Sequence, residues 1–288
     1  MRFAVLILLA FGCRCCRGEL PQLLEQLVGT GVVMPGNETF AVPPPTLGQG
    51  LDAQERRQRL EGLAGPLGWK RFSRNSVSAP ISIELKYLKA ASGQRIGHDV
   101  HVAFILHTSL DKLKDETLMK ELFGEPEDPE AAEDFESSEL TAAQLDELGV
   151  TAQPDSSYGS IQIPILKRVI VRGVIEAQQQ SEEDDRIIFA WRFDPRFSEA
   201  STLRNTWTPV NRDDAGKKSL GAQQPYGGTG GYLIVSRLPE VAGACLVESH
   251  MVIHEPAEWF SSSNQLRSKM PIMIQESVRS MRRKLSSH

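Results

Sequence analysis

At 288 residues the chain can hold one large domain or two small ones, with a substantial apolar core. Its 40% hydrophobic and 24% charged residues exclude global disorder, and a net charge of -5 excludes the basic footprint that bulk electrostatic binding to nucleic acid requires. Beyond Cys16 the only cysteine is Cys245, so no disulfide framework is expected and the fold must rest on apolar burial.

Residues 1–18 read as a signal peptide: Arg2, the apolar run from Phe3 to Gly12, then a small-residue and cysteine cluster from Gly12 to Gly18. The run is shorter than the roughly 20 residues a permanent membrane span needs. Export to the periplasm or the extracellular space is the expectation. Leu9-Ala10-Phe11-Gly12-Cys13 is similar to the lipobox of bacterial lipoproteins, from which Ala10 and Phe11 depart. Lipidation of Cys13 would tether the product to a membrane. Cys13 and Cys16 form a CxxC that belongs to the signal rather than to a redox site, and Asn37-Glu38-Thr39 fits a glycosylation sequon in a eukaryotic secretory route.

Residues 19–50 form a lead-in segment, with a short helix over Leu20–Val28 and a stiff extended connector at Val42-Pro-Pro-Pro45. Residues 51–288 are expected as a single α+β domain. Asp52 caps a helix that runs to Ala64 and is stopped by Gly65-Pro66. Ala79, Ile81, Ile83, Leu85 and Tyr87 alternate with polar residues, as in a half-buried strand. It turns at Ser92-Gly93 and pairs with His98–Thr108, whose Val100, Val102, Phe104 and Leu106 share one face. Leu110, Leu113, Leu118 and Leu122 predict a helix ended by Gly124, followed by an acidic loop, 124–140, without EF-hand spacing; Thr141 caps a further short helix.

Ser160–Gln179 reads as one long extended region with Ile161, Ile163, Ile165, Val169, Val171 and Ile175 on one face. Gly173 could hold a bulge there, and Pro164 disfavours a central ladder position. Ile187, Phe189, Trp191 and Phe193 line a return strand, and residues 195–230 read as a long loop serving as lid or rim. The last hairpin joins Tyr232–Leu238 to Gly243–Glu255, with Cys245, Val247, Ser249, Met251 and Ile253 facing one way and Glu248, His250 and His254 the other. Leu266, Met270, Ile274, Val278, Met281 and Leu285 then recur at helical intervals, with a helix start or kink expected at Pro271.

From Asp52 to Leu285 this order of helix, hairpin, helices, paired long strands and closing helix resembles the START-like or Bet v 1-like helix-grip superfamily. The fold class expected is therefore α+β, a curved antiparallel sheet with a long C-terminal helix packed across it. The resemblance rests on element order, not on a residue motif, and it implies binding of a lipid or other hydrophobic molecule without catalysis. Phe104, Leu106, Phe189, Trp191, Val247 and Met251 from the strands, with Met270, Ile274 and Met281 from the helix, would line the core or cavity.

Catalytic signals are sparse. Glu248, His250 and His254 share a strand face at even spacing, a pattern that could hold zinc with help from His101 and His107, or else form a solvent-facing polar row. HExxH and GxSxG are absent, Ser109-Leu-Asp-Lys112 lacks a companion KTG, and Gly227-Gly-Thr-Gly-Gly231 precedes a strand without the GKS/T of a phosphate loop. The leading expectation is an exported, non-catalytic domain without cofactor, binding a hydrophobic small molecule or an envelope partner. A metal-dependent hydrolase and a structural protein with a filled core are the rivals. Membrane contact would come through lipidated Cys13 or through the basic last helix, read otherwise as a core helix with a solvated basic side.

Overall fold

The computed structural model describes residues 20–48, 50–123, 132–182, 185–197, 203–260 and 263–287. The signal peptide expected at 1–18, with Cys13 and Cys16, lies outside them. An 11-stranded sheet dominates the chain. Its strands are β3 (Ser82–Lys89), β4 (Arg95–Leu106), β5 (Glu136–Leu140), β6 (Ser157–Ile165), β7 (Val169–Glu182), β8 (Arg186–Phe193), β9 (Thr206–Arg212), β10 (Lys218–Leu220), β11 (Gln224–Pro225), β12 (Thr229–Arg237) and β13 (Cys245–His254). The main path runs β10-β9-β7-β8-β12-β13-β4-β3, with β6 on β7, β5 on β6 and β11 on β9; every pair is antiparallel.

The alternation read from the sequence sets the inner face. Val100, Val102, Phe104 and Leu106 of β4 and Val247 and Met251 of β13 join Phe189 and Trp191 of β8 in one buried cluster. Helix α6 (Gln265–Ser287) closes this cluster with Leu266, Met270, Ile274, Val278 and Met281. The molecule is thus a large antiparallel sheet with a long C-terminal helix packed across it. Helix α4 (Glu116–Phe123) adds Met119 and Leu122 to the same layer. Pro271 lies within α6, which begins at Gln265.

The opposite face is covered as well. Helix α1 (Gln22–Gly29), the short ladder of β1 (Val32–Val33) with β2 (Thr39–Phe40), and Val42 bury Leu23, Leu24, Leu27, Val32 and Met34 against Ile188, Ala190, Tyr232, Ile234 and Val252. Helices α2 (Ala53–Ala64) and α3 (Trp69–Phe72) lay Leu60, Ala64 and Phe72 on Ala103, Ile105 and Leu246. Helix α5 (Ala142–Glu147) places Leu145 on Tyr158, Val174 and Phe197. Asp52 and Thr141 cap α2 and α5 through reciprocal capping boxes with Glu55 and Gln144. The lead-in segment is therefore a third layer rather than an approach to the domain.

Three sequence expectations need correction. Ser160–Gln179 is a hairpin, β6 and β7, turning through Leu166 and Lys167 at positive φ. Both arms keep odd-numbered residues on the inner face because Ile165 pairs with Val169. Within the acidic stretch 124–140, residues 124–131 lie outside the described ones, and Glu136–Leu140 is the strand β5, an edge on β6. The expected loop 195–230 contains β9, β10, β11 and the start of β12. Pro164 sits beyond the reach of β5, where its missing N–H breaks no ladder. Gly173 is required by a close approach: a Cβ there would meet Asn205 Oδ1 at 2.2 Å. That Oδ1 accepts from Val174 N–H at 3.0 Å, while Asn205 Nδ2 donates to the Asp194 carbonyl at 2.8 Å. One amide side chain thus bridges the point where β7 changes partner from β9 to β8.

Candidate functional site

The side chains expected to line the grip come together: Phe104, Leu106, Phe189, Trp191, Val247, Met251, Met270, Ile274 and Met281 all belong to the inner cluster. Val247 pairs with Phe104, Cys245 with Leu106 and Leu233 with Phe189, so these form neighbouring rows of one face. Trp191 pairs with Gly231, where an absent side chain leaves the indole a bare strand beside it. Two indole donors on this layer, Trp191 Nε1 and Trp259 Nε1, are buried without a hydrogen-bond partner among the described residues. Such donors normally find an acceptor. Cys245 offers no nucleophile: its buried thiol donates to the Thr108 carbonyl at 3.4 Å, and burial pushes its pKa up to about 11.

Where β13 runs out toward α6, the inner layer ends in stacked aromatic rings. Tyr226 lies parallel to Trp259 at 5.5 Å and edge-on to Phe193 at 5.5 Å, and Trp207 meets Trp259 edge-on at 6.3 Å. The Tyr226 hydroxyl bonds to Thr229 Oγ1 at 2.7 Å and donates to the His254 carbonyl at 3.1 Å, and burial raises its pKa. Outside this cluster opens a cleft of about 750 Å³, whose walls include Trp207, Pro209, Pro225, Arg95, His254 and Glu255. Trp207 belongs both to this cleft and to the inner cluster.

The strand-face row of Glu248, His250 and His254 is buried rather than solvent-facing, and only Glu248 and His250 come together, around His101. Glu248 and His250 share His101 as a neighbour, while His254 has neighbours of its own. Glu248 accepts from Thr46 N–H at 3.0 Å and Thr46 Oγ1 at 2.7 Å, with His101 Nε2 at 3.1 Å. His250 pairs with Asp99, and the His101 and His250 rings stack at 5.1 Å. His254 instead lies against Tyr226 at 5.5 Å, its Nδ1 without a partner among the described residues. Desolvation lowers its pKa to about 4. His107 faces elsewhere, toward the Ser73 carbonyl at 3.1 Å. No group of three or more metal-ligating side chains forms among the described residues, so the zinc constellation expected from even spacing is not assembled.

Sequence reading missed Asp99, Thr46 and Tyr226, which make these contacts. The alternation that placed the histidines on one face carries no information about which chain segment covers it. Likewise Glu255, buried beyond the end of β13, holds His98 and takes Arg95 Nη2 at 3.0 Å. Among the described residues no helix is long and apolar enough to cross a membrane.

No protein-family model and no curated protein matches the chain. Solved structures do. A STAR-related lipid transfer protein fragment from Xanthomonas axonopodis aligns at 14% identity over 70% of this chain and 93% of its own, with a TM-score of 0.41. The human StarD13 lipid transfer and protein localization domain aligns at 10% identity over 72% and 85%, with a TM-score of 0.40. Human STARD10 aligns at 11% identity over 84% and 86%, with a TM-score of 0.38.

Proposed function

We propose that this chain is a non-catalytic domain that holds a hydrophobic, lipid-like molecule between the inner face of the sheet and α6. The supporting observation is the chemistry of that layer. It joins aromatic and aliphatic strand residues to Met270 and Met281 of the helix, and it contains indole donors without a partner among the described residues. Methionine is unbranched and adapts to an irregular guest, and each square ångström of apolar surface withdrawn from water contributes about 25 cal/mol. Export, with removal of residues 1–18, belongs to the same proposal. So does membrane contact, through lipidated Cys13 or through the outer side of α6, where Lys269, Arg279 and Arg283 lie exposed beside Ile272 and Met273.

Native mass spectrometry of the purified protein, followed by lipid extraction, tests the binding role. A co-purifying lipid in stoichiometric amount is the expected result. A ligand-free protein that also takes up no lipid from vesicles would leave the filled structural core as the better reading. Elemental analysis run alongside separates the metal-dependent hydrolase: stoichiometric zinc would reinstate it.

A further inference from the structure

We propose that the cleft beside Trp207 receives the uncharged, hydroxyl-bearing head of the ligand, with His254 as its hydrogen-bonding partner. This deepens the lipid-binding reading and rests on it. The cleft has a volume of about 750 Å³; Trp207, Pro209 and Pro225 give it an apolar side, and Arg95, Gln224, His254, Glu255 and Glu258 a polar one. A built polar group lines it: His254 is 7% exposed, and its Nδ1 has no partner among the described residues. His254 Nδ1, a buried polar atom of a cleft-lining residue without a partner among the described residues, marks a place where a polar ligand atom is due.

The charge of the cleft selects the kind of head. Arg95 is committed, with Nη2 on Glu255 and Nη1 on Asn264 Oδ1 at 2.8 Å, while Glu255 is held by Arg95 and His98. Glu258 stands exposed at the rim. A carboxylate or phosphate would enter beside two glutamates and find no cation to spare. A hydroxyl suits the site because it either donates to or accepts from a neutral imidazole nitrogen. Trp207 connects the two halves of the arrangement, since its ring lines the cleft and also joins the apolar cluster under α6. The head remains in the cleft and the hydrocarbon passes that ring into the grip.

Oleyl alcohol and oleate share a chain and differ in the charge of the head, so their competition against a polarity-sensitive fluorescent probe on the full protein reads the selection directly. The alcohol is expected to displace the probe at about tenfold lower concentration than oleate. His254→Phe should weaken the alcohol five- to tenfold and leave oleate unchanged, closing the gap; His254→Leu, a second apolar replacement, should do the same. Oleate binding as tightly as the alcohol, or a gap that survives both substitutions, would overturn the assignment and leave His254 Nδ1 to ordered water. Failure of either chain to bind would instead overturn the lipid-binding reading itself.

Discussion

Leu166 and Lys167 turn the chain between β6 and β7 with φ of 51° and 56°, a left-handed pair without the asparagine or glycine that normally signals it. That explains why the hairpin reads as one strand in the sequence, although the odd-numbered inner face was legible on both arms. Each left-handed L-residue costs about 1–2 kcal/mol, and glycine returns part of that in chain entropy. Lys167→Gly should therefore raise stability by about 0.5–1 kcal/mol, seen as a higher urea midpoint. An unchanged midpoint would show that the turn is unstrained. His254 supplies a second prediction at this scale. Its folded pKa of about 4 lies below the ordinary 6.5, so the unfolded chain binds the extra proton between those values. Its contribution is complete above pH 6.5 and is lost as pH falls toward 4, up to about 3 kcal/mol. The wild-type urea midpoint should fall over that window more steeply than that of His254→Phe.

Among the elements, α6 shows most clearly what amphipathic patterning can and cannot reveal. The stripe from Leu266 to Met281 was legible and faces the sheet. Its basic residues, however, are not uniformly solvated. Arg267 donates to the Leu85 carbonyl at 2.9 Å and lies 4.4 Å from the Tyr87 ring. Arg282 is buried, and burial with neighbouring Arg279 lowers its pKa to about 10, leaving it charged at neutral pH. Its guanidinium donates to Ile105 O at 3.0 Å and Ala79 O at 2.6 Å, carbonyls beyond the Ser82 end of β3, where β4 keeps β13 but has no β3 partner. The side chain completes an unfinished sheet edge, a role that depends on where a strand stops and so escapes periodicity. Arg282→Met should cost about 2–4 kcal/mol by urea unfolding, through orphaned carbonyls. Arg279→Met, on the exposed side, should stay within about 0.5 kcal/mol. Equal effects of the two would refute the edge role.

At the scale of the whole molecule, the clasp of sheet and helix was legible because a half-buried strand alternates and a packed helix repeats. The N-terminal layer was not read, yet a signal for it exists. Tyr232-Leu-Ile-Val235 and Ile187-Ile-Phe-Ala-Trp191 are apolar on both faces, the pattern of strands covered twice. Leu233, Val235, Phe189 and Trp191 serve the inner cluster, while Tyr232, Ile234, Ile188 and Ala190 serve the outer one. Residues 20–48 supply the outer cover, and with it the Thr46 hydrogen bonds that satisfy Glu248 and the Leu23 N–H that donates to Gln178 Oε1 at 2.8 Å. Removing them would expose a continuous apolar face and leave a buried carboxylate short of donors. A chain beginning at Asp52 should therefore bind a hydrophobic dye and self-associate, whereas the chain beginning at Glu19 should do neither. Leu24→Ala in the longer chain, a buried truncation, should cost about 2–5 kcal/mol. A shortened protein that remains monomeric, with an unchanged urea midpoint, would return residues 20–48 to the status of a leader and confine the folded unit to the sheet and the helix it grips.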